Sequence, residues 1–132
     1  MTAAWMKEVR FDDRGLVTAV IQDVADGRIL MVGYMNREAL RLTAETGQVH
    51  FWSRSRQALW RKGESSGHVQ RAKEIRLDCD GDAVLVRVSQ AVAACHTGHR
   101  SCFFRALRGL AWEEIETPVF DPEAVYGASL HR

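Results

Sequence analysis

Lys73-Glu74-Ile75-Arg76-Leu77-Asp78-Cys79-Asp80-Gly81-Asp82-Ala83-Val84-Leu85-Val86-Arg87-Val88-Ser89-Gln90 is the stretch from which the fold can be worked out. Aliphatic and charged residues alternate on either side of Asp80-Gly81, a turn dipeptide, so the two halves read as strands of an antiparallel hairpin. With the turn there, Ile75, Leu77 and Cys79 lie opposite Val86, Val84 and Asp82 on one face, and Glu74 faces Arg87 on the other. Cys79 is thereby expected at the end of a buried face, beside the hairpin tip. A two-residue turn would send Asp78 and Asp82 to opposite faces. A loop over 79–82 keeps the register and lets Asp78, Asp80 and Asp82 converge, so the wider loop is expected.

Upstream of this hairpin, residues 16–24 and 28–34 are mostly apolar runs flanking Asp26-Gly27, and predict a second antiparallel hairpin. Asn36 is a good N-cap and Gly47 a good helix-terminating residue, with helix formers between them and Leu40, Thr43 and Ala44 on one face; the main helix is placed over about 36–47. A strand over 48–53 follows, and residues 1–15 read as a polar lead-in. Downstream, a small-residue link over 91–94 leads to Cys95-His96-Thr97-Gly98-His99-Arg100-Ser101-Cys102 and then to residues 103–112. The tail, 117–132, carries both prolines, Pro118 and Pro122, and is expected to be irregular or docked late. No repeat, low-complexity tract or linker divides the chain, so 132 residues predict one domain.

Eighteen Lys and Arg against 17 Asp and Glu leave a net charge of +1, which argues against a nucleic-acid binder. The N-terminus lacks a basic region followed by an apolar core, and no apolar run approaches the roughly 18 residues of a membrane span. A soluble, cytoplasmic protein with no membrane partner is expected. Three cysteines in a chain that is 46% hydrophobic need no disulfide framework and fit metal-bound thiolates in a reducing compartment.

Cys79, Cys95 and Cys102 offer three soft ligands, the number a catalytic zinc takes while keeping a position for water, which becomes hydroxide near neutral pH. Nucleobase deaminases use a comparable set, but their His-x-Glu and Pro-Cys-x-x-Cys signature is missing. A structural zinc closed by His96 or His99, or cysteines merely buried, are the plainer readings. Asp78, Asp80 and Asp82 resemble the start of a calcium loop, yet Gly81 stands at position four and Ser89 at position twelve, where an EF-hand needs other residues. A magnesium site completed by waters is the functional reading, and a solvated Asp-Gly turn the ordinary one.

His68 and His96 lie in polar, glycine-bearing segments and are the candidates for proton transfer; His50 and His131 receive no role. Trp52 and Trp60 could stack on a heteroaromatic ring or pack in the core. Arg54, Arg56 and Lys62 could hold phosphate, and the loop containing Ser65, Ser66 and Gly67 could bring backbone N–H groups to an anion, although it is not a Walker loop.

Taken together, Trp60-Arg61-Lys62-Gly63-Glu64-Ser65-Ser66-Gly67-His68, Ile75-Arg76-Leu77-Asp78-Cys79-Asp80-Gly81-Asp82, and Cys95-His96-Thr97-Gly98 followed by Ser101-Cys102-Phe103 resemble the phosphoribosyl-AMP cyclohydrolase family of histidine biosynthesis. The resemblance runs in order from about residue 32 to 105. It implies a compact, largely antiparallel α+β fold, an obligate homodimer, and zinc-hydroxide hydrolysis of the N1–C6 bond of 1-(5-phosphoribosyl)-AMP to the ring-opened phosphoribosylformimino-AICAR phosphate. It further implies zinc on Cys79, Cys95 and Cys102, with Cys79 contributed across the dimer interface, and Mg²⁺ on Asp78, Asp80 and Asp82. His96, then His68, would serve as acid or base. Trp52, Arg54, Arg56, Trp60, Lys62, Ser65, Ser66 and Gly67 would contact the nucleotide. His99 and Arg100 fall where the family pattern varies and gain no role. A form without the fused pyrophosphohydrolase is expected, since the chain ends at Arg132. The rival from another class is a zinc-stabilised binding module without catalysis, which predicts loss of fold on zinc removal.

Overall fold

The structure, a computed structural model, describes residues 3–126. After a 3-10 helix at Ala4–Glu8 come β1 (Val17–Asp23), β2 (Ile29–Met35), α1 (Arg37–Thr46), β3 (His50–Ser53), β4 (Ala58–Arg61), β5 (Gln70–Leu77), β6 (Ala83–Gln90), β7 (Arg105–Arg108), β8 (Ala111–Glu114) and a short α2 (Pro122–Tyr126). The strands β2-β1-β6-β5 form one sheet in that order, while β3-β4 and β7-β8 are two-stranded ribbons. Every adjacent pair is antiparallel except β1 with β6, which is parallel. The result is an α+β arrangement with one main helix, as expected.

The expected register of the β5-β6 hairpin holds: Ile75 pairs with Val86, Leu77 with Val84 and Glu74 with Arg87. Between the strands, residues 79–82 form the wider loop, closed by Asp78 N–H donating to the Ala83 carbonyl at 3.0 Å. The parallel β1-β6 pairing sets Ala19 beside Val84 and Ile21 beside Val86, so the buried residues of both strands share one face. Onto that face pack Leu30 and Met35 of β2, Ala39 and Leu40 of α1, Val49, and Phe51 of β3. Each large side chain fully buried there contributes about 1.5–3 kcal/mol.

Both ends of α1 follow the capping residues. Asn36 Oδ1 accepts from Ala39 N–H at 2.8 Å, and Gly47 closes the helix in the left-handed conformation with its N–H on the Thr43 carbonyl. The buried face is Ala39, Leu40 and Thr43, with Thr43 bridging the Ala39 carbonyl and the His50 amide; Ala44, expected on it, is exposed. The strand expected over 48–53 begins at His50, with Gln48 in an isolated bridge to Arg71.

Gly33 lets β3 lie against β2. A Cβ at that position would fall 2.6 Å from the Phe51 ring, and Phe51 is itself 1% exposed. Gly33→Ala is expected to destabilise the protein by about 1–3 kcal/mol through overpacking, read as a lower urea midpoint with an unchanged slope. An unchanged midpoint would show that the ring has room to move.

Both terminal segments are tied to the body of the fold. The lead-in is not a loose polar stretch: Met6 and Val9 are buried, and Arg10 N–H donates to the Gly81 carbonyl at 2.7 Å, so this segment packs against the aspartate loop. The tail, expected to be irregular or docked late, is docked, through Val119 N–H on the Gly98 carbonyl at 2.7 Å, and contains the short α2. Residues 127–132, His131 among them, lie outside the described residues, as do residues 1–2. Among the described residues no helix is long and apolar enough to cross a membrane.

Candidate active site

The segment 94–102 is a tight loop held from within and from below. Ala94 N–H donates to the Arg100 carbonyl at 3.0 Å, Cys95 N–H to His99 at 3.2 Å and Gly98 N–H to Cys95 at 3.1 Å. Beneath it, Cys102 N–H donates to the Leu30 carbonyl at 2.7 Å and Ser101 Oγ to the Ile29 carbonyl at 2.8 Å, tying the loop to β2. Arg100 reaches Asp23 at 2.9 Å and Asp26 at 2.8 Å across the β1-β2 turn. Sequence reasoning gave Arg100 no role; its partners lie more than 70 positions away, so no local pattern marks them.

The Asp26 carboxyl is held down at about 2, chiefly by the Arg100 hydrogen bond and next by Arg28 N–H. A carboxylate lowered in the folded state contributes stability that is whole above its unfolded value of about 3.9 and fades as pH falls through the folded one. The stability gap between wild type and Asp26→Asn should therefore be present at pH 5 and shrink steadily toward pH 2, closing only below it, measured by urea unfolding across that range. A gap independent of pH would remove the ion pair as its cause.

Of the three cysteines, the fold brings together Cys95 and Cys102. Hydrogen bonding with Cys102 is the main influence that pulls the Cys95 thiol down to about 5, outweighing the upward push of burial; Thr97 and the nearby His96 charge act in the same downward sense. Cys79 is exposed, and Leu77 before it is 40% exposed. The expected buried end of the hairpin face is thus open in the single chain, where β5 is the edge strand of its sheet and its last residues are exposed. Among the described residues, Asp78, Asp80 and Asp82 are the group whose ligand atoms all lie within 4.8 Å of one another.

That carboxylate group is organised by Asp78, whose Oδ1 accepts from Asp82 N–H at 3.0 Å and Ala83 N–H at 3.3 Å. Burial pushes the Asp78 carboxyl up, but the hydrogen bonds from Ala83, Asp80 and Asp82 together hold it below its usual range. Asp82 is raised, first by its hydrogen bonds with Asp80 and Asp78 and then by their charge. Three exposed carboxylates crowded in this way favour a shared cation over three separate charges.

His68 is 8% exposed, and its pKa is lowered by burial, then by the positive charge of Lys62, against a hydrogen bond with the Ala93 backbone. Its ring meets Phe120 edge-on at 4.8 Å. Lys62 Nζ donates to the Ala94 carbonyl at 2.6 Å, which sets its charge beside the cysteine loop. His96 is exposed on that loop. His99, which the sequence offered only as an alternative fourth ligand of a structural zinc, is 3% exposed, stacked on Phe104 at 3.6 Å, and linked through Thr97 to Cys95.

Trp52 and Trp60 do not share a face: Phe51 pairs with Trp60 and Trp52 with Leu59, so the two indoles point to opposite sides of the ribbon. Trp60 packs on Phe51 at 5.0 Å. Both still border a cleft of about 420 Å³ that includes Tyr34, Ser53, Arg54 and Ser55. Arg54 stacks on Tyr34 at 4.0 Å, and Arg56 N–H donates to Ser53 Oγ. In the loop carrying Ser65, Ser66 and Gly67, the amides of Gly67 and His68 are already used by Gly63 O and Ser66 Oγ.

Hard carboxylates on one loop and paired soft thiols on another, with histidines beside the thiols, are the donor set of a metal-dependent enzyme. A family model described as phosphoribosyl-AMP cyclohydrolase matches residues 31–104. The chain is 53% identical over 127 residues to the phosphoribosyl-AMP cyclohydrolase of Chromobacterium violaceum, covering 96% of each. It is 56% identical over 128 residues to that of Bordetella petrii, covering 93% of this chain and 96% of the relative. With the protein of the same name from Methanothermobacter thermautotrophicus it shares 60% over 114 residues, 85% of this chain and 83% of the relative. The chain belongs to the phosphoribosyl-AMP cyclohydrolase family.

Proposed function

We propose that this protein hydrolyses the N1–C6 bond of the adenine ring of 1-(5-phosphoribosyl)-AMP, giving phosphoribosylformimino-AICAR phosphate in histidine biosynthesis. The observation that carries this reading is the family match over 31–104, which spans the aspartate loop, the paired thiols and His68. A cationic N1-substituted adenine is electron-poor at C6, so the chemistry needed is activation of water and a proton relay rather than a covalent nucleophile.

Cys79, Cys95 and Cys102 would hold zinc, and Asp78, Asp80 and Asp82 would hold Mg²⁺. Both sets fit on chemical grounds: Cys95 is drawn toward thiolate, the form that binds zinc, and the aspartates converge as oxygen donors suited to magnesium. Zinc, when bound, supplies a Lewis acid able to make water nucleophilic near neutral pH. His68, kept neutral by burial and Lys62, is suited to accept a proton, and exposed His96 beside Cys95 to exchange one with the ring as it opens. Trp52, Arg54, Trp60 and Arg56 would take the nucleotide along the cleft. Lys62 with Ser65, Ser66 and Gly67 would steady a phosphate.

A homodimer completes this reading. Cys79 is exposed and apart from the other two thiols, and β7-β8 presents an uncovered apolar ribbon: Leu107 and Trp112 pair across it at 55% and 69% exposure, with Leu110 at its turn 92% exposed. A second copy seated there would bury that ribbon and bring its own hairpin tip to the thiol pair. Three free thiols fit the reducing cytoplasm. The test is to add phosphoribosyl-AMP to metal-loaded protein and follow the ultraviolet change of ring opening, with and without a chelator. Turnover abolished by the chelator and restored by zinc with magnesium is the expected result. No spectral change with metal present would defeat the proposal.

A further inference from the structure

His99 has no place in the reaction as described, yet it is among the most carefully held side chains of the site. Its ring is 3% exposed and lies parallel to Phe104, with centroids 3.6 Å apart and planes 7° apart. Its Nδ1 is 2.8 Å from Thr97 Oγ1, and that oxygen is 2.9 Å from Cys95 Sγ. Its Nε2 has no hydrogen-bond partner and faces Glu114 Oε1 of β8 at 3.6 Å.

We propose that His99 and Thr97 are positioning residues for Cys95: the imidazole N–H fixes the Thr97 hydroxyl so that its single proton is directed at the sulfur. The inference rests on the reading of Cys95 as a zinc ligand. A hydroxyl has one proton to donate. Since Thr97 donates it to sulfur, its oxygen can only accept from His99, which places the ring proton on Nδ1 and fixes the direction of the whole chain. The stack on Phe104 prevents the ring from turning away, and the tight loop 94–102 prevents Thr97 from choosing another partner. Nε2 is left outside this chain, with no hydrogen-bond partner and with Glu114 Oε1 at 3.6 Å. A hydrogen bond onto a ligating sulfur orients it and disperses its charge, as partners behind other metal ligands do.

The test uses the zinc-loaded protein and reads zinc transfer to an excess of chromogenic chelator, together with the sulfur-to-cobalt charge-transfer band of the Co²⁺-substituted protein. Thr97→Val, which keeps the shape and removes the hydroxyl, is expected to release zinc about tenfold faster or more and to move the band, while Thr97→Ser should retain both properties. His99→Leu should change release in the same direction. His99→Asn, whose side-chain N–H can replace Nδ1–H, should restore most of the loss. The double variant Thr97→Val with His99→Leu should be no worse than Thr97→Val, because both act through one hydroxyl. Equal release from wild type and Thr97→Val, or additive single effects, would overturn the relay while leaving the ligand assignment standing. Wild type that takes up no zinc at Cys95 would overturn the assignment and the relay with it.

Discussion

Cys79→Ser and Cys102→Ser, each inactive alone, are expected to recover about a quarter of wild-type turnover when the two chains are mixed and reassembled. The expectation follows from where the fold leaves the thiols. Cys95 and Cys102 share one loop and hydrogen-bond to each other, whereas Cys79 stands exposed at the tip of the β5-β6 hairpin. If the third ligand comes from the partner, a mixed dimer joins the intact Cys79 of one chain to the intact Cys95 and Cys102 of the other. Its second site is doubly broken. Random pairing makes about half the dimers mixed, each with one good site of two. Each single variant should lose about a thousandfold in kcat/KM, since the several kcal/mol of charge stabilisation at the metal disappear. Mixing Cys95→Ser with Cys102→Ser provides the control, because both lesions fall on the same loop and no pairing repairs it. Zinc content and turnover measured before and after mixing decide the matter, and an absence of recovery with soluble dimers present would rule out a shared site.

Gly98→Ala should produce the second large effect. Gly98 adopts φ +95°, and a Cβ there would lie 2.4 Å from the Phe120 carbonyl oxygen and 3.2 Å from Pro118 Cβ. Holding a non-glycine residue in that region costs about 1–3 kcal/mol. The steric clash is with backbone, so the segment carrying Pro118 and Phe120 has to lift. Lifting it breaks the Val119 N–H bond to the Gly98 carbonyl and removes the Phe120 edge from His68, which then gains water. A displacement of this size at the site is expected to lower kcat/KM by about a hundredfold, with the urea midpoint falling as well. Lost stability with unchanged kcat/KM would show that the strap supports the fold but not the chemistry.

Much of this protein is legible along the chain because the deciding interactions are local. Caps act within four residues, so Asn36 and Gly47 bounded α1 correctly. Side-chain alternation fixes hairpin register once the turn is placed, and Ile75, Leu77 and Glu74 found the partners that Asp80-Gly81 implied. The three Asp residues converge because their spacing on a four-residue loop leaves them little choice. The lead-in was misread for the opposite reason: Met6 and Val9 look like scattered apolar residues until the core built from distant strands and α1 is brought to them.

Neighbours a few positions apart specify β1, β2, α1, the β5-β6 hairpin with its register, and the donor residues, and these are legible along the chain. The tertiary structure alone decided the parallel pairing of β1 with β6, the anchoring of the cysteine loop by Asp23, Asp26 and Ser101, and the docking of the tail on Gly98 and His68. It left Cys79 exposed and outside the Cys95-Cys102 pair, and it set His99 behind Cys95. These outcomes depend on contacts between segments dozens of residues apart or on a hydroxyl and a ring meeting in space, and no local pattern encodes either.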